Sequence, residues 1–169
     1  MLKPRQTAPE LIVDTIDSGT WRLSEQAPAS FTLIVFYRGV HCPFCRTQLQ
    51  ELKAKQDDFR ARGVEVIAIS GNDQEQAQRA EWEWKLEGLP IGYGQSVESM
   101  REWGLYISRG IKADQPELFG EPGLFLIRPD RTLYYVAVQS MPFARPSLQD
   151  LLSGIDFVLK NDYPARGEA

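Results

Sequence analysis

The chain has 169 residues, 43% of them hydrophobic and 25% charged, with a formal net charge of −4 and a pI near 5.1. That length fits one domain with a substantial buried core, and the acidic balance argues against general nucleic-acid binding, which needs a basic face. The longest strongly apolar stretch, Phe31–Tyr37, is far too short to cross a bilayer, and neither end carries a lipidation signal.

Residues 1–19 mix polar side chains with Leu11-Ile12-Val13, and Thr20–Leu23 predicts a short strand, so the start reads as an N-terminal extension or hairpin added to the main fold. Met1–Thr7 has no apolar h-region of the signal-peptide kind. The expected compartment is therefore the cytoplasm, where free thiols are maintained. Phe31–Tyr37 is a continuous β-branched and aromatic run, the pattern of a central strand covered on both faces. Pro43 to about Arg62 predicts a helix with Leu49, Leu52 and Phe59 inward, stopped by Gly63. Val64–Ser70 predicts a second strand and residues 73–87 a polar helix closed by Gly88. This alternation implies parallel strands with right-handed crossovers.

Leu89–Gly94 predicts a short strand and Val97–Trp103 a short helix, after which 105–121, punctuated by Gly110, Pro116 and Gly120, reads as a loop. Leu124–Ile127 and Leu133–Val138 flank Pro129-Asp130-Arg131-Thr132, a β-hairpin with its turn residues in place. Ser147 caps a last helix to about Lys160, and residues 164–169 read as a flexible tail to a single domain spanning 1–169. Trp82 and Trp84 stand two apart, so one helical face cannot bury both.

The only two cysteines lie in Cys42-Pro43-Phe44-Cys45, after the Phe31–Tyr37 strand and on the first turn of the helix that follows. Unpaired N–H groups at a helix start favour an anion. Positions i and i+3 share a face, so the two sulfurs can meet, and a neighbouring thiol can share a proton or close a disulfide. Pro43 suits the first helical position, where its missing N–H is not needed. Zinc fits poorly: a structural site wants four ligands, only His41, Cys42 and Cys45 are to hand, and adjacent His41 and Cys42 are badly placed to share one ion. A purely structural disulfide belongs to secreted chains, and an inert buried pair is the remaining plain alternative. Thiol redox chemistry is the reading these residues favour, with no metal and no cofactor.

The element order, with Cys-x-x-Cys after the first central strand, resembles the thioredoxin fold over roughly residues 20–160. Within that superfamily, Phe36-Tyr37-Arg38-Gly39-Val40-His41-Cys42-Pro43-Phe44-Cys45-Arg46 resembles the peroxiredoxin-like branch of the AhpC/TSA antioxidant family. The resemblance implies an α/β thioredoxin-like fold: a central mixed sheet flanked by helices, with an N-terminal extension and an insertion before the last β-hairpin. Pro122, in Glu121-Pro122-Gly123, matches the place of the family's cis-proline, where a substrate peptide could add as a strand. Peroxiredoxins carry Pro-x-x-x-Thr-x-x-Cys; placing Cys45 at that cysteine sets Arg38 at the proline and Cys42 at the threonine. The threonine helps orient the peroxide, so its absence predicts slower peroxide reduction.

The implied function is a thiol redox enzyme, an oxidoreductase of peroxidase or disulfide-reductase type, reducing peroxides or disulfides through a Cys42/Cys45 dithiol–disulfide cycle. The alternatives are a plain thiol–disulfide oxidoreductase without significant peroxidase activity, and a non-enzymatic binding module with a structural Cys pair. In thioredoxin-like proteins the first cysteine, here Cys42, is the more exposed attacker and Cys45 resolves; the peroxiredoxin alignment reverses those roles. His41, if cationic, would lower the attacking thiol's pKa. Arg38 and Arg46 flank the pair and would favour the thiolate, the plain alternative being that they are simply solvated. The implied partners are a peroxide or protein disulfide as substrate and an external thiol reductant of thioredoxin or glutathione type, with neither nucleic acid nor membrane; a homodimer is also allowed.

Overall fold

The computed structural model describes residues 1–169. The N-terminal segment forms a hairpin, β1 (Ile12–Thr15) and β2 (Gly19–Arg22), followed by a 3₁₀ turn over Leu23–Glu25. Strand β3 (Phe31–Phe36) is buried along its whole length, as its unbroken apolar run requires. The helix expected over 43–62 divides into α1 (Pro43–Ala54) and α2 (Gln56–Ala61), because Lys55 leaves helical geometry for one residue (φ −99°, ψ 4°). Then come β4 (Val64–Ile69), α3 (Gln74–Trp84), β5 (Ile91–Tyr93) and α4 (Val97–Glu102). Helix α3 starts on a reciprocal capping box: the Asp73 side chain accepts from Gln76 N–H at 2.8 Å, and the Gln76 side chain accepts from Asp73 N–H at 3.0 Å.

The stretch expected to be a loop, 105–121, holds a small antiparallel pair of its own, β6 (Ile107–Arg109) and β7 (Leu118–Gly120). Strands of three residues are too short to show a two-residue period, so punctuation by Gly110 and Pro116 dominated the pattern. The chain ends with the expected hairpin, β8 (Gly123–Ile127) and β9 (Leu133–Val138), and α5 (Leu148–Asn161), capped by Ser147.

Seven strands form one mixed sheet in the order β2-β1-β5-β4-β3-β8-β9, with β3/β4 and β4/β5 parallel and the other pairs antiparallel. The N-terminal hairpin is thus an edge of the main sheet. Alternation along β3 sends Phe31, Leu33 and Val35 to one face, where they meet Leu49 and Leu52 of α1, Phe59 of α2, Ala77, Ala80 and Trp84 of α3, and Leu148, Leu152 and Ile155 of α5. Ile34 and Phe36 point to the other face, against Met100 of α4, Trp103, Phe125, Ile127 and the N-terminal residues Ala8, Leu11 and Val13. Trp103 is fully buried, its ring meeting Phe36 at 5.4 Å and Phe125 at 5.0 Å. Trp84 is buried and Trp82 lies 82% exposed, the outcome their spacing demands. In segment 164–169, Ala165 is buried, its carbonyl accepting from Arg5 Nε at 3.0 Å. No helix is long and apolar enough to cross a membrane.

Candidate active site at the start of α1

The site begins where β3 ends. Gly39 turns the chain at φ +139°, and a Cβ there would lie 2.7 Å from Asn72 Nδ2, so the turn needs glycine both for its conformation and for the close approach. The same Asn72 accepts from Val40 N–H at 2.8 Å, fixing the turn from the end of β4. Cys42 is then the N-cap of α1: its Sγ accepts from the Cys45 N–H at 3.2 Å, taking one of the helix's unpaired donors, and Pro43 occupies the first turn. Both thiols are free. Cys42 was expected to be the more open, yet the two are 1% and 0% exposed. The connection from β9 to α5 packs against the helix start, with the Phe143 ring meeting Phe44 at 4.9 Å.

That connection supplies Arg145, which sequence reading did not single out. Its Nη2 lies 3.2 Å from Cys45 Sγ and 3.8 Å from Cys42 Sγ. Its Nη1 donates to Gln48 Oε1 on α1 and its Nε to the Pro142 carbonyl at 2.7 Å, so the guanidinium is held on three sides. Arg145 follows Cys45 by 100 positions, and only the fold brings the two together. The available signal was one cation between Pro142 and Pro146, just before the Ser147 cap.

The two thiols are driven apart in acidity. The Cys42 pKa falls to about 6, chiefly because the Cys45 thiol donates to it; burial opposes this, and the Cys45 N–H, Arg38 and Arg145 add to it. The Cys45 pKa is pushed well above its ordinary value by burial and by Cys42. Cys42 is thus the more acidic thiol of the pair and Cys45 the less acidic. Arg145 is nearer Cys45 than Cys42, which alone would favour the opposite placement. The hydrogen bond that the Cys45 thiol gives to Cys42, with the helix-start N–H beside it, sets the order the other way. Tyr37, pushed up to about 12 by burial, stays neutral beside the pair.

The remaining residues singled out from sequence fall in different places. Arg38 is nearly buried: its backbone N–H donates to Cys45 Sγ at 3.4 Å, its Nε lies 3.1 Å from Glu121 Oε2, and its guanidinium sits over the Phe119 ring. His41 packs its ring against Phe119 at 4.8 Å, and burial, then the Arg38 charge, hold its pKa below the ordinary value. The imidazole is thus neutral near pH 7 and supplies no cation to the sulfurs. Arg46 is exposed on α1. Pro122 corrects the expectation of a cis bond: the chain has no cis peptide, and Pro122 is buried. The trans form is the ordinary preference of an X–Pro bond. The Pro122 carbonyl accepts from the Gln139 N–H at 3.0 Å. No three His, Cys, Asp or Glu side chains gather closely enough to hold a metal ion.

The model of the family described as AhpC/TSA matches residues 4–136 of this chain. The chain belongs to the AhpC/TSA family. As a member it is a peroxiredoxin-like thiol redox protein and an oxidoreductase. Among similar solved structures, a cysteine mutant of the peroxiredoxin 6 of Arenicola marina is 17% identical with a TM-score of 0.77, covering 94% of this chain and 74% of that one. The reduced 2-Cys peroxiredoxin of Plasmodium vivax is 15% identical with a TM-score of 0.78, covering 96% and 84%. The reduced Prx3 of Vibrio vulnificus, in complex with hydrogen peroxide, is 14% identical with a TM-score of 0.76, covering 92% and 99%. At these identities the likeness is one of fold. No curated protein matches the chain. Arg145 and α5 lie beyond the residues that the family model matches.

Proposed function

We propose that this AhpC/TSA member is a dithiol oxidoreductase in which Cys42 attacks and Cys45 resolves. The observation that carries this is the position of Cys42 Sγ: it caps α1, receives the Cys45 N–H, and leaves the shared proton on the deeper sulfur. Toward a disulfide, the Cys42 thiolate attacks one sulfur and the S–S bond breaks. The departing thiolate is protonated, Cys45 gives up its proton and attacks Cys42, and the second thiol leaves. Toward a peroxide, Cys42 takes one oxygen as a sulfenic acid, and the departing oxyanion takes the Cys45 proton. The Cys45 thiolate then attacks Cys42 and expels hydroxide. Either path deposits two electrons in the substrate and ends in a Cys42–Cys45 disulfide, which an external thiol reductant of thioredoxin or glutathione type reopens. The solved structure of a yeast mitochondrial 1-Cys peroxiredoxin is described as resolving its thiol through those systems.

A second reading has its own support: Arg145 Nη2 and the Arg38 N–H both converge on Cys45 Sγ, so an ionised Cys45 would also be well held. The proposed setting is a single domain acting in the cytoplasm, as a monomer or homodimer. Steady-state turnover with a model disulfide protein, hydrogen peroxide and an organic hydroperoxide tests the function. Disulfide exchange should be the fastest of the three; an enzyme that turns over none of them would overturn the reading.

A further inference from the structure

The connection from β9 to α5, residues 139–147, is tied to the fold at its two ends. At one end the Gln139 N–H donates to the Pro122 carbonyl at 3.0 Å; at the other, Ser147 Oγ accepts from the Asp150 N–H at 3.1 Å. Between them no backbone N–H of residues 140–146 enters a backbone hydrogen bond, and Pro142 and Pro146 have none to give. Such a segment belongs to the low end of local stability. Side chains alone hold this strap on α1. The Phe143 ring meets Phe44 edge-on at 4.9 Å, but both residues are about half exposed. Arg145 is the stronger tie: its Nη1 donates to Gln48 Oε1, and its Nη2 lies 3.2 Å from Cys45 Sγ and 3.8 Å from Cys42 Sγ. With Phe44, Gln48 and Phe143, Arg145 also lines an open groove of about 530 Å³ between α1 and the strap. One guanidinium thus joins the buried sulfurs to a groove that solvent reaches.

We propose that Arg145 is a redox-sensitive latch: it holds the strap against α1 while Cys42 and Cys45 are a reduced, anionic pair, and it loosens the strap once they form a disulfide. This rests on the dithiol cycle proposed above but not on which thiol attacks, since Nη2 reaches both sulfurs. As the S–S bond forms, the pair passes two electrons to the peroxide or disulfide substrate. Its remaining thiol proton leaves with the products, so the site loses its negative charge. A hydrogen bond to an ionised acceptor is roughly twice as strong as one between neutral groups. The other partners of the guanidinium, Gln48 Oε1 and the Pro142 carbonyl, are neutral. Oxidation therefore leaves a part-buried cation without a counter-charge, a costly state that turning out to water relieves. The direction suits turnover. The disulfide is reopened by an external thiol that must reach one sulfur, and a loosened strap gives a bulky reductant room beside the pair.

Chymotrypsin cleavage after Phe143 in the native full-length protein, followed by mass spectrometry, reads the opening, because proteolysis of a transiently opened segment follows the open population. Cleavage after the other exposed aromatic residues in the same digest is the reference. Protein oxidised with diamide, its disulfide verified by intact mass, should be cut after Phe143 about tenfold faster than reduced protein, the ratio expected when a charge-assisted hydrogen bond gives way to a neutral contact. Reduced Arg145→Gln should be cut as fast as the oxidised wild type, and oxidising it should add nothing. Equal rates in the two redox states of the wild type, or a reduced Arg145→Gln protected like the reduced wild type, would overturn the latch. Where Arg145→Gln does not fold, Cys42→Ser/Cys45→Ser keeps Arg145 but has no ionisable pair, and should be cut at the oxidised rate in reducing and oxidising buffer alike. A wild type that forms no disulfide with diamide would instead refute the dithiol cycle. The double serine variant still decides the latch in that case: cleavage as slow as in the reduced wild type overturns it.

Discussion

Replacing Arg145 by glutamine tests how much of the thiol's acidity comes from the β9–α5 connection. The guanidinium is 3.8 Å from Cys42 Sγ and 3.2 Å from Cys45 Sγ. An opposite charge that near shifts a pKa by roughly one to three units. The lower end applies to Cys42, because hydrogen bonding from Cys45 is the leading cause of its acidity, ahead of Arg145, and because the arginine is only partly buried. The Cys42 midpoint, about 6 in the native protein, should therefore rise by about one unit, or roughly 1.4 kcal/mol. At pH 7 the effect on rate nearly vanishes: the thiolate fraction falls about twofold, while the more basic thiolate is roughly threefold more nucleophilic. A single-pH assay would thus miss it. Alkylation followed from pH 4 to 10 separates the two factors, and Arg145→Lys, which keeps the charge without the fork, should recover part of the shift. A midpoint unchanged or lowered in Arg145→Gln would refute the reasoning.

Cys45→Ala removes the largest cause of Cys42's acidity, so the Cys42 midpoint should move up toward the ordinary thiol value, measured by the same alkylation profile. Stability should also depend on pH. Cys42 is depressed in the folded protein, so its contribution is fully present above the unfolded thiol pKa and is lost as pH falls toward about 6. Cys45 is raised and works against stability once unfolded thiols ionise, so urea midpoints should climb from about pH 6 to roughly pH 8.5 and then fall; a flat profile in that window would contradict the pair's shared proton. Trp103→Ala should cost about 3–5 kcal/mol by chemical denaturation, since the indole is fully buried between Phe36 and Phe125.

The sheet was legible because its strands announce themselves. Phe31–Phe36, Val64–Ile69 and Leu133–Val138 are apolar or β-branched runs between turn signals, and Leu33, Val66, Phe125 and Ile127 are all buried as their patterns require. The cysteine pair was legible too, since strand, turn and first helical turn are contiguous in sequence. Three things were not. The β6–β7 pair is shorter than the window that periodicity needs. The geometry of Pro122 depends on the path from β7 to β8, which local residues do not encode. The ionic surroundings of the thiols are assembled from distant segments: Arg145 arrives from the β9–α5 connection and Glu121 from the end of β7, and neither is near Cys42 in sequence. Arg46, adjacent in sequence, is exposed, while Arg145, remote in sequence, touches both sulfurs.

The assignment of Cys42 as the attacking thiol is tested most directly by trapping each single-cysteine protein with its substrate. Cys45→Ser and Cys42→Ser would each be exposed to one equivalent of peroxide with dimedone, and separately to a protein disulfide, followed by non-reducing mass spectrometry. The account predicts that Cys45→Ser accumulates a dimedone adduct and mixed disulfides on Cys42, because the thiolate remains and the resolving thiol is gone. It predicts that Cys42→Ser, whose remaining thiol is buried and still raised in pKa by that burial, stays unlabelled. A sulfenic acid on Cys45 of Cys42→Ser at low peroxide, with Cys45→Ser unreactive, would contradict it.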